Sequence, residues 1–236
     1  MKHRSWLVVP ANKPADIARA AQSGADAVVI DLVEFVAEKD RVHTLANVRD
    51  AVERINAGGA KAYVQTTHAT HHADLDVAVC AALSGVVVSR ADSAAQLRDV
   101  DNYLISLEKK NSLHECAITL VVALETARGN QDAYEIVSAS KRVSAITLGR
   151  ADLAMDLRPE PSGELHMMPY LMQRLVVIAG AVGVTPLGAW WRAPDRGLLS
   201  TPENTLKAAQ RGRAMGFKGA LCLRADQVAA LNATYA

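Results

Sequence analysis

Gly24-Ala25-Asp26-Ala27-Val28-Val29-Ile30-Asp31-Leu32 is the stretch whose reading decides the fold. From Ala27 it runs almost without a polar residue, and its one acid stands near the end. A strand open to water on one face alternates apolar and polar residues. A strand covered on both faces is apolar throughout, which is the habit of parallel sheets under helices. Upstream, Pro14 to Gln22 predicts a helix, and Gly24 is the residue expected to end it. The unit is therefore helix, glycine, buried strand.

The same unit recurs along the chain. Trp6 to Pro10 predicts the first strand and Ala27 to Leu32 the second. The others are Ala62–Thr66, Gly85–Val88, Ala117–Leu124, Ser144–Leu148, Thr185–Trp190 and Ala220–Leu223. Helices are predicted between and after them over Asp40–Ile55, Ala73–Leu83, Ser93–Leu107, Gln131–Ala139, Pro169–Ala181, Pro202–Met215 and Asp226–Thr234. A longer connection with Pro159, Pro161 and Gly163 is expected before the helix at Pro169. Eight alternating pairs argue for a parallel sheet, and in 236 residues a closed (β/α)₈ TIM barrel fits better than an open one. No Pro-, Gly- or Ser-rich linker divides the chain, so one domain over residues 1–236 is expected. A dinucleotide-binding sheet lacks its glycine fingerprint, because Pro10-Ala11-Asn12-Lys13-Pro14 follows the first strand.

Half the residues are apolar and the net charge is +1. This balance gives no long-range attraction to nucleic acid or anionic membrane. No apolar run reaches the length of a membrane span, and the apolar stretch near Met1 is too short for a signal-peptide core. Cys80, Cys116 and Cys222 are far apart and odd in number, so free thiols in a reducing cytoplasm are expected.

In a barrel, chemistry belongs at the C-terminal ends of the strands. The polar residues there are Asp31 and Glu34, then Gln65, Thr67 and His68, then Arg90 and Asp92. Glu125, Thr126 and Arg128 follow the fifth strand, Arg150 and Asp152 the sixth, Trp191, Arg192 and Asp195 the seventh, and Arg224 the eighth. Glu125 and Asp152, on neighbouring strand ends, can converge on one cation, and hard oxygen ligands select Mg²⁺ or Mn²⁺. Such an ion would leave room for a 2-oxo acid and would stabilise an enolate as a Lewis acid. The alternative is two unrelated acids capping helix N-termini. His68-Ala69-Thr70-His71-His72 raises a zinc question, but its spacing matches no standard site and a polar loop is the plainer expectation. His68 alone could reach the pocket as an acid/base. Trp190 and Trp191 could wall the pocket or pack in the core. Asp31 could orient a cation such as Arg4 through a buried ion pair.

At these strand ends the sequence resembles the citrate lyase β-subunit family and its HpcH/HpaI aldolase relatives, over nearly its whole length. Arg4 to Pro14 is similar to the opening "RSxLFVPGNRP", and Gly24 to Leu32 to "GADAVILDL". Leu124-Glu125-Thr126-Ala127-Arg128-Gly129 matches "IETARG", and Leu148-Gly149-Arg150-Ala151-Asp152-Leu153 resembles "FGAEDL". The resemblance implies Mg²⁺ held by Glu125 and Asp152, with carbon–carbon cleavage or formation next to a carbonyl. It implies a small carboxylated substrate, either a free 2-oxo or hydroxy acid or its CoA thioester, and homo-oligomers such as trimers or hexamers.

The sequence departs from that pattern in four places. Val33 and Glu34 stand in the usual "EDAV" block, and Gln65 replaces the arginine of "VRVN". Arg90 stands in a changed "PKVES", and Arg224 in place of "IHPxQ". The sequence also stops soon after the last helix, without the lid-forming extension of thioester-cleaving relatives, which tilts the expectation toward a free acid. With the cation at Gln65 gone, Arg90, Arg150 or Arg224 is expected to grip the substrate carboxylate, with Arg128 positioning its oxygens and His68 or water moving the proton. Two rivals stand beside this lyase or aldolase: a metabolite-binding barrel that has lost turnover, and a phosphoenolpyruvate or oxaloacetate enzyme using the same enolate stabilisation.

Overall fold

The structure, a computed structural model, describes residues 3–158, 161–189 and 201–236. Eight strands form a closed barrel in sequence order, each parallel to the next. They are β1 Ser5–Pro10, β2 Ala27–Asp31, β3 Lys61–Thr67, β4 Leu83–Ser89, β5 Thr119–Leu124, β6 Val143–Leu148, β7 Thr185–Ala189 and β8 Gly219–Cys222. β8 closes the ring on β1, with Trp6 opposite Leu221.

The helices are α1 Pro14–Ala20, α2 Arg41–Leu45, α3 Val48–Ala57, α4 His71–Ala78, α5 Ala94–Lys110, α6 Ala127–Gln131, α7 Ala133–Val137, α8 Arg150–Leu157, α9 Pro161–Val182, α10 Pro202–Met215 and α11 Val228–Thr234. Three expectations change. The helix predicted from Asp40 breaks into a 3₁₀ turn, α2 and α3. The one predicted from Gln131 is two short helices, because Thr126 caps α6 early by accepting from the Gly129 amide at 2.9 Å. The proline-containing connection is itself helical: Pro161 opens α9, where a missing amide costs nothing, and Pro169 lies inside it. Trp190, Trp191, Arg192 and Asp195 lie outside the described residues.

Two apolar layers hold the barrel. Val28, Ile30, Val64, Val86, Val122 and Ile146 face outward against the helices. Trp6, Val8, Val29, Tyr63, Val87, Val121, Ala145, Leu187 and Leu221 fill the interior, where Trp6 and Tyr63 pack with ring centroids 4.5 Å apart. Successive side chains alternate across a strand. Continuing this inward parity, Val29 leads to Asp31, Tyr63 to Gln65, Val87 to Ser89 and Ala123 to Glu125. The barrel's C-terminal mouth is therefore lined by polar side chains.

The two ends differ in charge. At the N-terminal end two arginines are tied to acids. Arg142 makes a bidentate pair with Glu108 at 2.6 and 2.7 Å and reaches Asp101 at 2.5 Å. Glu108 also accepts from the amides of Cys116 and Ile118. Arg4 grips Asp26 through Nε and Nη2, each at 2.8 Å. The pairing of Arg4 with Asp31 considered from sequence is therefore corrected: Arg4 precedes β1 and Asp31 ends β2, at opposite ends of the barrel. No helix among the described residues is long and apolar enough to cross a membrane.

Candidate functional site

Glu125 follows β5 and is half-buried in the mouth. A bare backbone at Gly149 makes room for it: a Cβ there would sit on the Glu125 side chain. The Glu125 Oε2 accepts from the backbone N–H of Arg90 at 2.9 Å. Arg90 takes φ 51°, a left-handed conformation unusual for a side-chain-bearing residue. From that backbone its guanidinium also reaches Asp152, with Nη2 3.7 Å from Oδ1. Arg90 thus joins the two acids singled out in the sequence.

A third and a fourth acid belong to the same field. Asp31 accepts from the amides of Val33 at 2.8 Å and Glu34 at 3.2 Å, folding the chain after β2 back so that Glu34 faces the mouth. Glu125 is pushed up to about 8, first by burial, then by the negative charges of Asp152 and Glu34, against the opposing Arg90 amide and guanidinium. Glu34 is raised by burial of its carboxyl and by the charges of Asp152 and Asp31. Asp31 is raised by burial, against the amides it accepts from. Glu125, Asp152 and Glu34 therefore repel one another beside the Arg90 guanidinium. The hydroxyl of Ser89, at the inward-facing end of β4, is buried with no hydrogen-bond partner. A divalent cation with oxygen ligands suits this excess of negative charge and these donors.

The loop block after β5 is built for position. The Thr126 hydroxyl donates to Asp92 while accepting from Gly129. Gly129 packs where a Cβ would meet the Ala91 carbonyl at 2.5 Å. These contacts tie the loops after β4 and β5 together beneath Arg90 and Glu125. Ser89 and the backbone role of Arg90 were missed in the sequence; strand parity would have pointed to Ser89.

The other expected residues fall elsewhere or at the edge. Gln65 is buried at the inner face of β3, and its carbonyl accepts from Leu32. Arg128 is highly exposed and turns toward Asp132 on its own helical segment, 3.8 Å away. Arg224 pairs with Asp226 and lines a cavity of about 330 Å³ between β1, α1 and the chain after β8, whose walls include none of Glu125, Asp152 or Arg90. His68 Nε2 lies 2.9 Å from the carboxylate Oδ2 of Asp99 on α5. The side chain of Arg150 lies outside the described residues. Cys80 and Cys222 are buried and Cys116 is exposed, and all three are free.

Fold and mouth together define a class: a parallel (β/α)₈ barrel that gathers carboxyl groups at the C-terminal ends of its strands. Within that class the chain belongs to the HpcH/HpaI aldolase/citrate lyase family, whose model matches residues 4–225. It is 30% identical over 235 residues to a citrate lyase subunit beta-like protein of Deinococcus radiodurans, the match covering 96% of this chain and 77% of that one. It is 25% identical to a (3S)-malyl-CoA thioesterase of Cereibacter sphaeroides, over 98% of this chain and 76% of that one. The fold superposes with a TM-score of 0.76 on the citrate lyase beta subunit of M. tuberculosis, solved with oxaloacetate and magnesium, at 23% identity and over 99% of this chain and 97% of that one.

Proposed function

We propose that the chain is a Mg²⁺- or Mn²⁺-dependent carbon–carbon lyase or aldolase acting on a small carboxylated substrate. The observation that carries this is that Arg90 holds Glu125 through its backbone N–H at 2.9 Å and faces Asp152 with its guanidinium at 3.7 Å, with the charge of Glu34 felt at Glu125. Glu125 and Asp152 would hold the cation, which supplies Lewis acidity at the carbonyl of an oxo acid. Arg90 would release Asp152 to the cation and grip the substrate carboxylate, standing in for the cation absent at Gln65. In the cleavage direction, a Glu34 oxygen takes the proton of the substrate hydroxyl. The carbon–carbon bond then breaks, its electron pair stays with the enolate fragment, and that fragment takes up the proton held by Glu34. A relative named for malyl-CoA and a structural neighbour solved with oxaloacetate support a small oxo- or hydroxy-acid substrate.

The test is Mg²⁺-dependent retro-aldol turnover of malyl and citramalyl thioesters and of 4-hydroxy-2-oxo acids, followed by release of the oxo acid. Turnover that Glu125→Gln abolishes supports the proposal; its absence with every substrate overturns it. A second reading is favoured by Gln65, a neutral side chain where the family carries a cation: a barrel that binds an oxo acid with Mg²⁺ and does not turn it over. Binding without turnover selects that reading. We also propose that copies associate through apolar side chains that α8 and α9 leave exposed, among them Met155, Tyr170 and Val177. A monomer in sedimentation at tens of micromolar would contradict this.

A further inference from the structure

A second group of ligand-type side chains lies outside the mouth, between α4 and α5. His71, the first residue of α4, is buried. Its Nδ1 is 2.6 Å from the carbonyl oxygen of His68. A carbonyl only accepts, so Nδ1 carries the ring proton and, in the neutral ring, Nε2 presents a lone pair. That Nε2 is buried without a hydrogen-bond partner. It faces Oδ2 of Asp99 across 3.8 Å, and the same Oδ2 lies 2.9 Å from Nε2 of His68. One ligand atom from each of the three residues lies within 4.8 Å of the others.

A buried acceptor facing a carboxylate oxygen is stabilised by positive charge between them. Zinc binds imidazole nitrogen and carboxylate oxygen at about 2.0–2.2 Å, so neighbouring ligands of a tetrahedral ion sit roughly 3.4 Å apart. The distances of 2.9 and 3.8 Å to Asp99 bracket that spacing. An N–H donated to a backbone carbonyl from the far ring nitrogen is also how metal-bound histidines are oriented. His68 and Asp99 are partly open to solvent, so an ion can enter and a fourth position is left for water.

We propose that His68, His71 and Asp99 form a site for Zn²⁺ or a similar borderline transition-metal ion, separate from the acid-lined mouth. Imidazole selects such an ion over Mg²⁺. Its binding clamps the loop after β3 onto α5, one turn from Thr67 at the edge of the mouth.

The experiment is a zinc titration of the metal-stripped full chain by calorimetry, in millimolar Mg²⁺ so that the mouth is occupied. Cobalt is substituted in parallel to read coordination by visible absorption. The site predicts one equivalent of zinc bound at micromolar concentration or tighter, with cobalt bands of a tetrahedral or five-coordinate nitrogen and oxygen set. His68→Gln and Asp99→Asn, both at exposed positions, each weaken binding by at least about tenfold. Glu125→Gln leaves it unchanged. His71→Ala can fail to fold, so the two exposed variants carry the test. No zinc heat, or affinity untouched by both variants, overturns the proposal. So does ring nitrogen NMR showing a protonated His71 Nε2 at neutral pH with zinc present.

Discussion

The backbone N–H of Arg90 donates to Glu125 Oε2 across 2.9 Å, so a residue whose side chain faces Asp152 also fixes the other acid. One left-handed residue at the end of β4 therefore sets the spacing of the candidate metal ligands. Replacing Arg90 separates its two roles. Arg90→Gly keeps the donor and suits φ 51°, whereas Arg90→Ala keeps the strain. Arg90→Gly should be the more stable variant by about 1 kcal/mol. Both should raise KM for the carboxylated substrate by roughly 10- to 100-fold, as expected for a lost charged hydrogen bond. Thermal melts and steady-state kinetics check both, and an unchanged KM removes Arg90 from substrate binding.

Gly149→Ala places a methyl group against Glu125. Overpacking of this kind costs about 1–3 kcal/mol. Because the displaced group is a proposed ligand, Mg²⁺ affinity should fall together with the melting temperature. A loss of stability with unchanged Mg²⁺ affinity would separate Glu125 from the metal.

The pH dependence has a definite sign. Glu125 keeps its proton in the metal-free fold to about pH 8, against an ordinary value of 4.5. Between those values the native state holds a proton that the unfolded chain has lost. The stability contributed by this group is therefore fully present below about pH 4.5 and is lost as pH rises through about 8. Mg²⁺ competes with that proton, so its affinity and its increment in Tm should both grow as pH rises through the same range. Melts with and without Mg²⁺ across that range measure it; an increment that shrinks with rising pH contradicts the assignment.

At the other end of the barrel, Glu108→Ala removes the bidentate partner of the buried Arg142 guanidinium and leaves it Asp101 alone. Breaking a buried pair from one side costs about 3–5 kcal/mol. The expected result is a large drop in Tm with little change in Mg²⁺ affinity of the folded fraction. A coupled loss of Mg²⁺ affinity would show that the two ends are not independent.

Much of this architecture was legible in the residues. Continuous apolar runs such as Ala27–Ile30 mark strands covered on both faces, and their order fixes the barrel. The position of Glu125 and Asp152 just past neighbouring strands then brings them to one rim. Other features were hidden for physical reasons. A left-handed arginine leaves no trace in sequence, because φ above zero is read from glycine or asparagine. The burial of His71 was hidden inside a run of polar residues at a helix start. Arg224 reads as a rim cation, yet Asp226 two residues on captures it. Pro169 suggests a helix start but lies inside α9.

Anomalous diffraction from crystals soaked with Mn²⁺ in place of Mg²⁺ tests the pairing of Glu125 and Asp152 on one ion. The expected result is a peak in the barrel mouth bonded to carboxylate oxygens of both Glu125 and Asp152. A well-ordered mouth without that peak, or Mn²⁺ bound only at other residues, would contradict it.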